Sequence, residues 1–347
     1  MLAPFHPIGV CLFNMTQLEL FDNPRPDIVD IQTVKSYGFD DFKDKGYILN
    51  EKYSDVLSDY LELYKKINGK PFYNLSLSYN TIMNDKHYKY LLVKIDDDVV
   101  FAVYKVIQIV KTKQIRVIGF PVSKNQNTKH QELLTSVFES FDFTKLVTSK
   151  KQSGNIRLIE YDDYYINLEK RKELYETSRF RSKYYINKIE KSDKVKVTYS
   201  SLIDKKDAIE IRKAWVRGMA LRGSIVSSEN SRKFYRLISS SHQNLRFLGI
   251  YCGGILISLQ VFLLSIGNEY CDCLYIHHLW SDYEQYDETT VMILKNITKI
   301  QNYFAYEFLN KQEGVKTVYL AGCRPSERRL LAHKNNICDG KIEYYIN

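Results

Sequence analysis

The sequence predicts an α/β (α+β) chain of two tandem units, each a mixed, mostly antiparallel sheet flanked by helices. Three observations carry that expectation. The chain has 347 residues, and domains commonly run ~100–200, so two fit better than one. Two three-strand meanders occur, one over about 88–122 and one over about 246–280. A long amphipathic helix and a strand–helix–strand ending follow the second meander.

In the first half, residues 1–46 read as an irregular segment punctuated by Pro24 and Pro26. Residues 47–167 form the first, degenerate unit. Its helix is expected over Tyr53–Ile67, where Val56, Leu57, Tyr60, Leu61 and Tyr64 recur at helical spacing. Asn68-Gly69 and then Pro71 stop it. Strands follow at Tyr88–Ile95, Val99–Val110 and Ile115–Val122, then a helix over His130–Phe138 and a strand over Ile156–Ile166. A charged helix over about 168–192 connects the halves.

The second unit, 193–347, is clearer. Its order is β-α-α-β-β-β-α-β-α-β. A strand covers Val195–Tyr199, and Asp204 can cap a helix to about Ala220. A second helix spans Ser228–Ser241. The strands Arg246–Cys252, Ile255–Ser265 and Glu269–Trp280 turn at Gly253-Gly254 and Gly267-Asn268, pairs that tolerate positive φ. The long helix runs from Glu288 to Asn310. Strand Thr317–Ala321, helix Ser326–Lys334 and strand Lys341–Ile346 end the chain.

The apolar fraction is 44%, enough for ordinary cores, and the net charge is +9. The excess favours an anionic partner, although 41 acidic residues temper it and a solubilising Lys-rich surface reads equally well. No apolar run approaches the ~20 residues of a membrane span. Met1–Asn14 has neither a basic region nor a cleavage site, so no secretory signal is expected, and Met15 is an alternative start. Six cysteines without a C-x-x-C pair read as reduced thiols of a cytoplasmic protein.

Two stretches carry a family resemblance: "YYINLEKRKELYETSRFRSKYYINKIEKSDKVKV" (164–197) and "KTVYLAGCRPSERRLLAHKNN" (316–336). With the element order, they resemble the GNAT acyltransferase superfamily. Within it they resemble Fem-type aminoacyl transferases, the C-terminal domain of phosphatidylglycerol lysyltransferases and leucyl/arginyl-tRNA–protein transferases. The resemblance covers about 160–347 and reaches the first half only by topology. It implies an acyl or aminoacyl transferase with an amine acceptor, and it alone places Tyr319 as a catalytic residue and Lys334 as a substrate-binding one.

One departure bears on the donor. Acetyltransferases of this superfamily carry a glycine-rich loop whose amides cradle a pyrophosphate. Here the position reads "WSDYEQYDETT" (280–290), with acids and no glycine. Acetyl-CoA therefore fits poorly, and aminoacyl-tRNA, the donor implied by the Fem-type resemblance, fits better.

Candidate chemistry clusters at the end of the third meander strand. His278 and Asp282 are the candidate catalytic residues there, the histidine as a base near neutral pH. Strand alternation puts Cys271, Cys273 and His277 on one face, but Cys273 and His277 lie roughly 13 Å apart at ~3.3 Å per residue. One zinc needs ligands within ~2.3 Å, so no metal is expected. Arg179, Arg181, Lys183 and Lys188, interleaved with Phe180, Tyr184 and Tyr185, suit a nucleic-acid substrate, tRNA or DNA. Five acids in the same stretch fit a solvated helix as well.

Gln17-Leu18-Glu19-Leu20-Phe21 resembles the sliding-clamp-binding peptide of bacterial replication proteins. Gln17, Leu20 and Phe21 would make that contact, and the acceptor would then be an amine on a modified DNA base. The remaining readings are an acetyl-CoA-dependent N-acetyltransferase and a non-catalytic nucleic-acid-binding or clamp-associated module.

Overall fold

The structure, a computed structural model, describes residues 26–70, 76–109, 112–140, 147–148, 156–170, 182–265, 267, 269–279, 286–323 and 328–346. Its first unit opens with strand β1 (Ile28–Asp30) and helices α1 (Ile31–Lys35) and α2 (Phe39–Lys45). Over residues 28–45 these stand where an irregular segment was expected. Asp30 caps α1 by accepting from Gln32 N, and Asp41 closes back on Gly38 N at the start of α2. Ile31, Val34, Tyr37 and Phe42 are then buried in a core the prolines did not announce.

Next come β2 (Tyr47–Ile48), α3 (Ser54–Asn68) and α4 (Leu77–Met83). The meander is β3 (Tyr88–Ile95), β4 (Asp98–Ile109) and β5 (Thr112–Ser123). Helix α5 (Thr128–Glu139) and strands β6 (Val147–Thr148) and β7 (Ile156–Asn167) complete the unit. The basic connector contributes α6 (Ser182–Glu190).

The second unit is β8 (Val195–Ser200), α7 (Lys205–Leu221), α8 (Ser228–Ser239), β9 (Leu245–Cys252), β10 (Ile255–Leu264) and β11 (Tyr270–His278). Then follow α9 (Glu288–Lys295), α10 (Ile297–Ala305), β12 (Thr317–Cys323), α11 (Arg328–Ile337) and β13 (Gly340–Ile346). Asp204 caps α7 through Asp207 N at 3.0 Å, as the sequence predicts. Gly253 and Gly254 take φ of 56° and 82°, the left-handed pair a tight hairpin needs. The single helix expected over Glu288–Asn310 breaks at Asn296. Its side-chain Nδ2 donates to Met292 O at 2.9 Å, a local bond that competes with helix continuation.

The two units share one 13-stranded sheet. Its order is β1-β3-β4-β5-β6-β13-β7-β12-β11-β10-β9-β8, with β2 beside β3. The order is nearly palindromic about the β13–β7 pair. Each unit takes the strand next to its parallel crossover from the other. β13, from the end of the chain, lies beside β6, and β7, from the end of the first unit, lies beside β12. β13 and β7 pair antiparallel from Gly340↔Tyr165 to Ile346↔Ile156.

Strand alternation gives the sheet two lined faces. One face of the second unit packs Cys271, Cys273, Tyr164, Val318 and Leu320 against Ile293, Ile297 and Ile300 of α9 and α10. The other packs Phe247, Leu259 and Val261 under Ala208 and Ile211 of α7 and Phe234 and Leu237 of α8. Tyr79 and Met83 of α4 join this second core, so the first unit helps to cover the second.

A buried polar cluster ties the halves across the exchanged strands. Lys70, beyond α3, donates to Asp272 of β11 at 2.8 Å and Asp163 of β7 at 3.2 Å. Tyr344 of β13 donates to Asp163 at 2.8 Å. The Lys70 ammonium lies 4.2 Å from the Tyr319 ring centroid. Burial pulls Lys70 down, but the two carboxylates outweigh it and hold it above its ordinary value. Burial pushes the Asp272 carboxyl up, with Lys70 opposing.

Breaking a buried pair from one side typically costs ~3–5 kcal/mol, because a charge is left unpaired. Lys70→Met is therefore expected to lower the urea midpoint by an amount worth about 3–5 kcal/mol at pH 7. Asp272→Asn in the same chain should recover part of the loss. The defect should shrink near pH 5, where the raised Asp272 carboxyl takes up a proton more readily.

Candidate functional site

Strands β11 and β12 run parallel, yet pair only from Tyr270↔Thr317 to Cys273↔Leu320. Beyond that point β11 stays bonded to β10 as far as His278, while β12 turns toward β7, where Cys323 pairs with Asp162. The two strands therefore part. The edge of β11 from Leu274 to His278 keeps its far partner β10 and has no ladder partner on the β12 side among the described residues. Backbone N–H groups on such an edge are available to an extended ligand or a developing oxyanion.

A bulge decides what flanks this wedge. The β10 register jumps from Val261↔Tyr275 to Phe262↔Cys273, leaving Leu274 as the extra residue. One added residue inverts every side chain after it. The expectation that Cys271, Cys273 and His277 share a face is thereby overturned. Cys271 and Cys273 face α9 and α10, whereas His277 packs under α7 and α8 against Trp215 and Phe234. Burial pushes the Cys273 thiol up to about 12 and Cys271 well above its ordinary value. Both stay protonated, and no metal-binding cluster occurs among the described residues.

His278, next along the strand, points to the opposite face from His277 and is half-buried. Tyr319 lies in the still-paired part of β12, in the Lys70 cluster, with its ring 6.0 Å from that of Tyr165. Burial raises its phenol, which keeps its proton. The structure thus puts His278 and Tyr319 on opposite faces and several residues apart, not in one constellation. Asp282 lies outside the described residues, as do Arg179, Arg181 and the peptide of Gln17, Leu20 and Phe21. The Lys183 side chain lies outside them too; Lys188, on α6, is exposed.

Lys334, which the resemblance places as a substrate-binding residue, is buried. It is 7% exposed, on α11, with its ammonium 5.5 Å from the Tyr164 ring centroid. It acts electrostatically on Cys273, the last paired residue before the strands part. Lys334 and His278 thus lie on the same face of the sheet.

Helix α9 starts where the pyrophosphate of an acyl-CoA would be held in a GNAT unit. Its N-terminus is already capped by an acid: Asp287 accepts from Thr290 N at 2.9 Å, and Glu288 follows. Those backbone bonds hold the Asp287 carboxyl below its ordinary value. An ionised carboxylate on the first-turn amides competes with a phosphate there. These residues do not fit a pyrophosphate.

The sequence reading overlooked Arg212. It lies on the inward stripe of α7 with Ala208 and Ile211 and is 1% exposed. Its Nη1 donates to His277 Nε2 at 2.8 Å. Its position one helical turn from buried Ala208 was the available signal.

In the second unit an element order of β-α-α-β-β-β-α-β, with parallel strands that part after four residue pairs, is the GNAT fold; the first unit repeats its meander, helix and parallel strand in the same sheet, with β2, α3 and α4 inserted and a single β5–β6 pair. Solved structures agree. FemX is similar over 80% of this chain and 92% of its own, with a TM-score of 0.53 and 10% identity. A conserved protein of unknown function from Bacteroides thetaiotaomicron is similar over 84% of this chain and 96% of its own, with a TM-score of 0.51 and 13% identity. At such identities the likeness is one of fold. No family model matches the sequence, and no curated protein matches it.

His277 supplies a pH test. Burial first, then Arg212 and His278, pull it well below its ordinary value, so it is neutral when folded. Unfolding lets it take up a proton below ~6.5. Its contribution is intact above that pH and is lost as pH falls toward the depressed folded value, by up to about 1.4 kcal/mol per pH unit. His277→Gln keeps an acceptor for Arg212 without the titration. Urea midpoints between pH 7 and 5 should therefore fall less steeply for the variant than for the parent.

Proposed function

We propose that this chain is an acyltransferase that moves an acyl or aminoacyl group onto an amine in the wedge between β11 and β12. The parting of these strands supports the reading most directly, because it leaves β11 amides beside an open slot. The acyl carbonyl lies against those amides. The amine nitrogen attacks its carbon, His278 takes the amine proton, and the oxyanion is held by backbone N–H groups. Collapse breaks the ester or thioester bond to the donor, forms the amide, and returns a proton to the leaving group. Lys334, on the same face as His278, offers a positive charge to the reacting carbonyl or the departing oxygen.

The acid-capped start of α9 favours a donor other than acetyl-CoA, and aminoacyl-tRNA is the donor class we favour. The basic stretch around Arg179, Arg181, Lys183 and Lys188 suits its phosphates, and Gln17, Leu20 and Phe21 suit a sliding clamp.

His278→Ala is expected to lower single-turnover acyl transfer by ~10²–10⁴-fold with little change in donor binding. An unchanged rate removes His278 from the chemistry. Calorimetry with acetyl-CoA should give no binding heat, and clear binding would reassign the donor. Arg179→Ala with Arg181→Ala should cut the slope of log affinity for tRNA against log salt by roughly 1.4–1.8, or about 0.7–0.9 for each lost phosphate contact. Loss of retention on a clamp column after Leu20→Ala and Phe21→Ala tests the peptide; unchanged retention sinks it.

A further inference from the structure

Large apolar side chains standing in water call for an explanation when ordered backbone holds them there. Leu221 ends α7 and Ile225 lies in the turn to α8, and they are 80% and 99% exposed. The turn that carries them is built. Arg222 N donates to Met219 O at 3.1 Å, Gly223 N to Ala220 O at 2.9 Å and Ser224 N to Met219 O at 3.0 Å. Gly223 takes a φ of 75°, the left-handed stop of a helix, and a Cβ there would meet nothing within 4 Å, so the turn stands clear of the fold. Ser227 then caps α8 by accepting from Asn230 N at 3.1 Å. Two aliphatic side chains are thus held in solvent between two closed helix ends.

Charge narrows what they meet. Residues 211–228 hold four cations, Arg212, Lys213, Arg217 and Arg222, and no acid. Arg212 is buried and Lys213 meets Glu210 at 2.8 Å, while Arg217 and Arg222 are exposed beside the turn. Glu229, the first acid beyond it, is bridged to Lys233 at 2.9 Å. Arg232, Tyr235 and Arg236 line a groove of ≈ 610 Å³ along α8. A nucleic-acid backbone would use the arginines but give Leu221 and Ile225 nothing to enter. A second copy of the chain would cover the apolar pair but set arginines against arginines. A bilayer with anionic headgroups takes both.

We propose that the α7–α8 turn docks this chain on an anionic lipid surface. Leu221 and Ile225 enter the boundary between headgroups and acyl chains, and Arg217, Arg222 and Arg232 meet the headgroups. The turn is already ordered, so little conformational freedom is lost on binding. Two side chains fall far short of a span, so docking is reversible. Tyr275, in the β11 stretch beyond its last β12 pair, donates to Asn230 O in the first turn of α8 at 3.1 Å. Docking therefore orients that strand edge relative to the membrane. The proposal does not depend on the acyl-transfer reading.

The test is co-sedimentation of the full chain, at low salt, with vesicles of phosphatidylcholine alone or mixed with phosphatidylserine. The mixed vesicles are expected to bind it and the neutral ones far less. Leu221→Ser with Ile225→Ser should weaken binding by roughly tenfold for each side chain. Arg217→Gln with Arg222→Gln should weaken it by roughly fivefold for each charge, a loss that high salt erases. All four side chains are exposed, so these variants should keep the parent's Tm. Ile225→Trp should add an emission that shifts to the blue, and is quenched by brominated lipid, on mixed vesicles only. No binding to mixed vesicles, or binding that survives loss of both apolar side chains, overturns the proposal. So does RNA or DNA binding that needs the two arginines, or a dimer that needs the two apolar residues, when vesicles are not bound. None of these outcomes touches His278, whose test reads transfer rate.

Discussion

The exchange of β7 and β13 is the constraint on which the rest of this architecture depends. Neither unit closes its own sheet. The first ends at a two-residue strand, β6, that gains its second neighbour only from the last strand of the chain. The second places its parallel crossover strand, β12, against a strand made before the second unit begins. An edge strand with unpaired amides invites association, and the exchange removes two such edges at once. It also brings Asp163, Asp272 and Tyr344, from three different strands, around one lysine. The charge cluster suits only this register. A slip of β7 by one residue would turn Asp163 to the opposite, apolar face.

Within that frame, one extra residue sets which side chains flank the wedge. Without the Leu274 bulge, regular alternation would send His277 toward the cysteine face and His278 under α7 and α8. With it, His277 meets Arg212, and His278 is left half-buried on the face that carries Lys334. A bulge also sharpens local twist, and here it comes immediately after the last β11–β12 pair. Twisting one strand away from its parallel neighbour at that point is a direct way to open a slot between them.

Much of the fold was legible because periodicity and turn chemistry are local. The β3 bounds read from sequence match the structure, and Asp204 caps the helix it was expected to cap. The tandem GNAT arrangement followed from element order. What was not legible depended on pairing between distant residues. α1 and α2 became ordered because Ile31, Val34 and Phe42 find a sheet face, not because their short sequences insist on helix. The strand exchange leaves no mark on the sequence of β13. The bulge leaves little mark either, since "CDCLYIHH" alternates no worse than its neighbours. The basic and clamp-like residues, by contrast, were legible as motifs, but motif alone says nothing of what they touch.

Buried cations show how far physical accounting can take such a chain. Lys70, with two carboxylates, explains itself as part of the joint between units. Arg246 explains itself through Glu313 and Tyr199, which anchor β9 to the turn before β12. Arg212 has aromatic faces and hydrogen bonds but, among the described residues, no neutralising carboxylate. Aromatic faces offset roughly 0.5–2 kcal/mol of a buried cation's cost, less than the several kcal/mol that desolvation takes. The same reasoning separates the two histidines. His277 is held neutral by burial beside Arg212, and His278 is half-buried on the opposite face of the sheet.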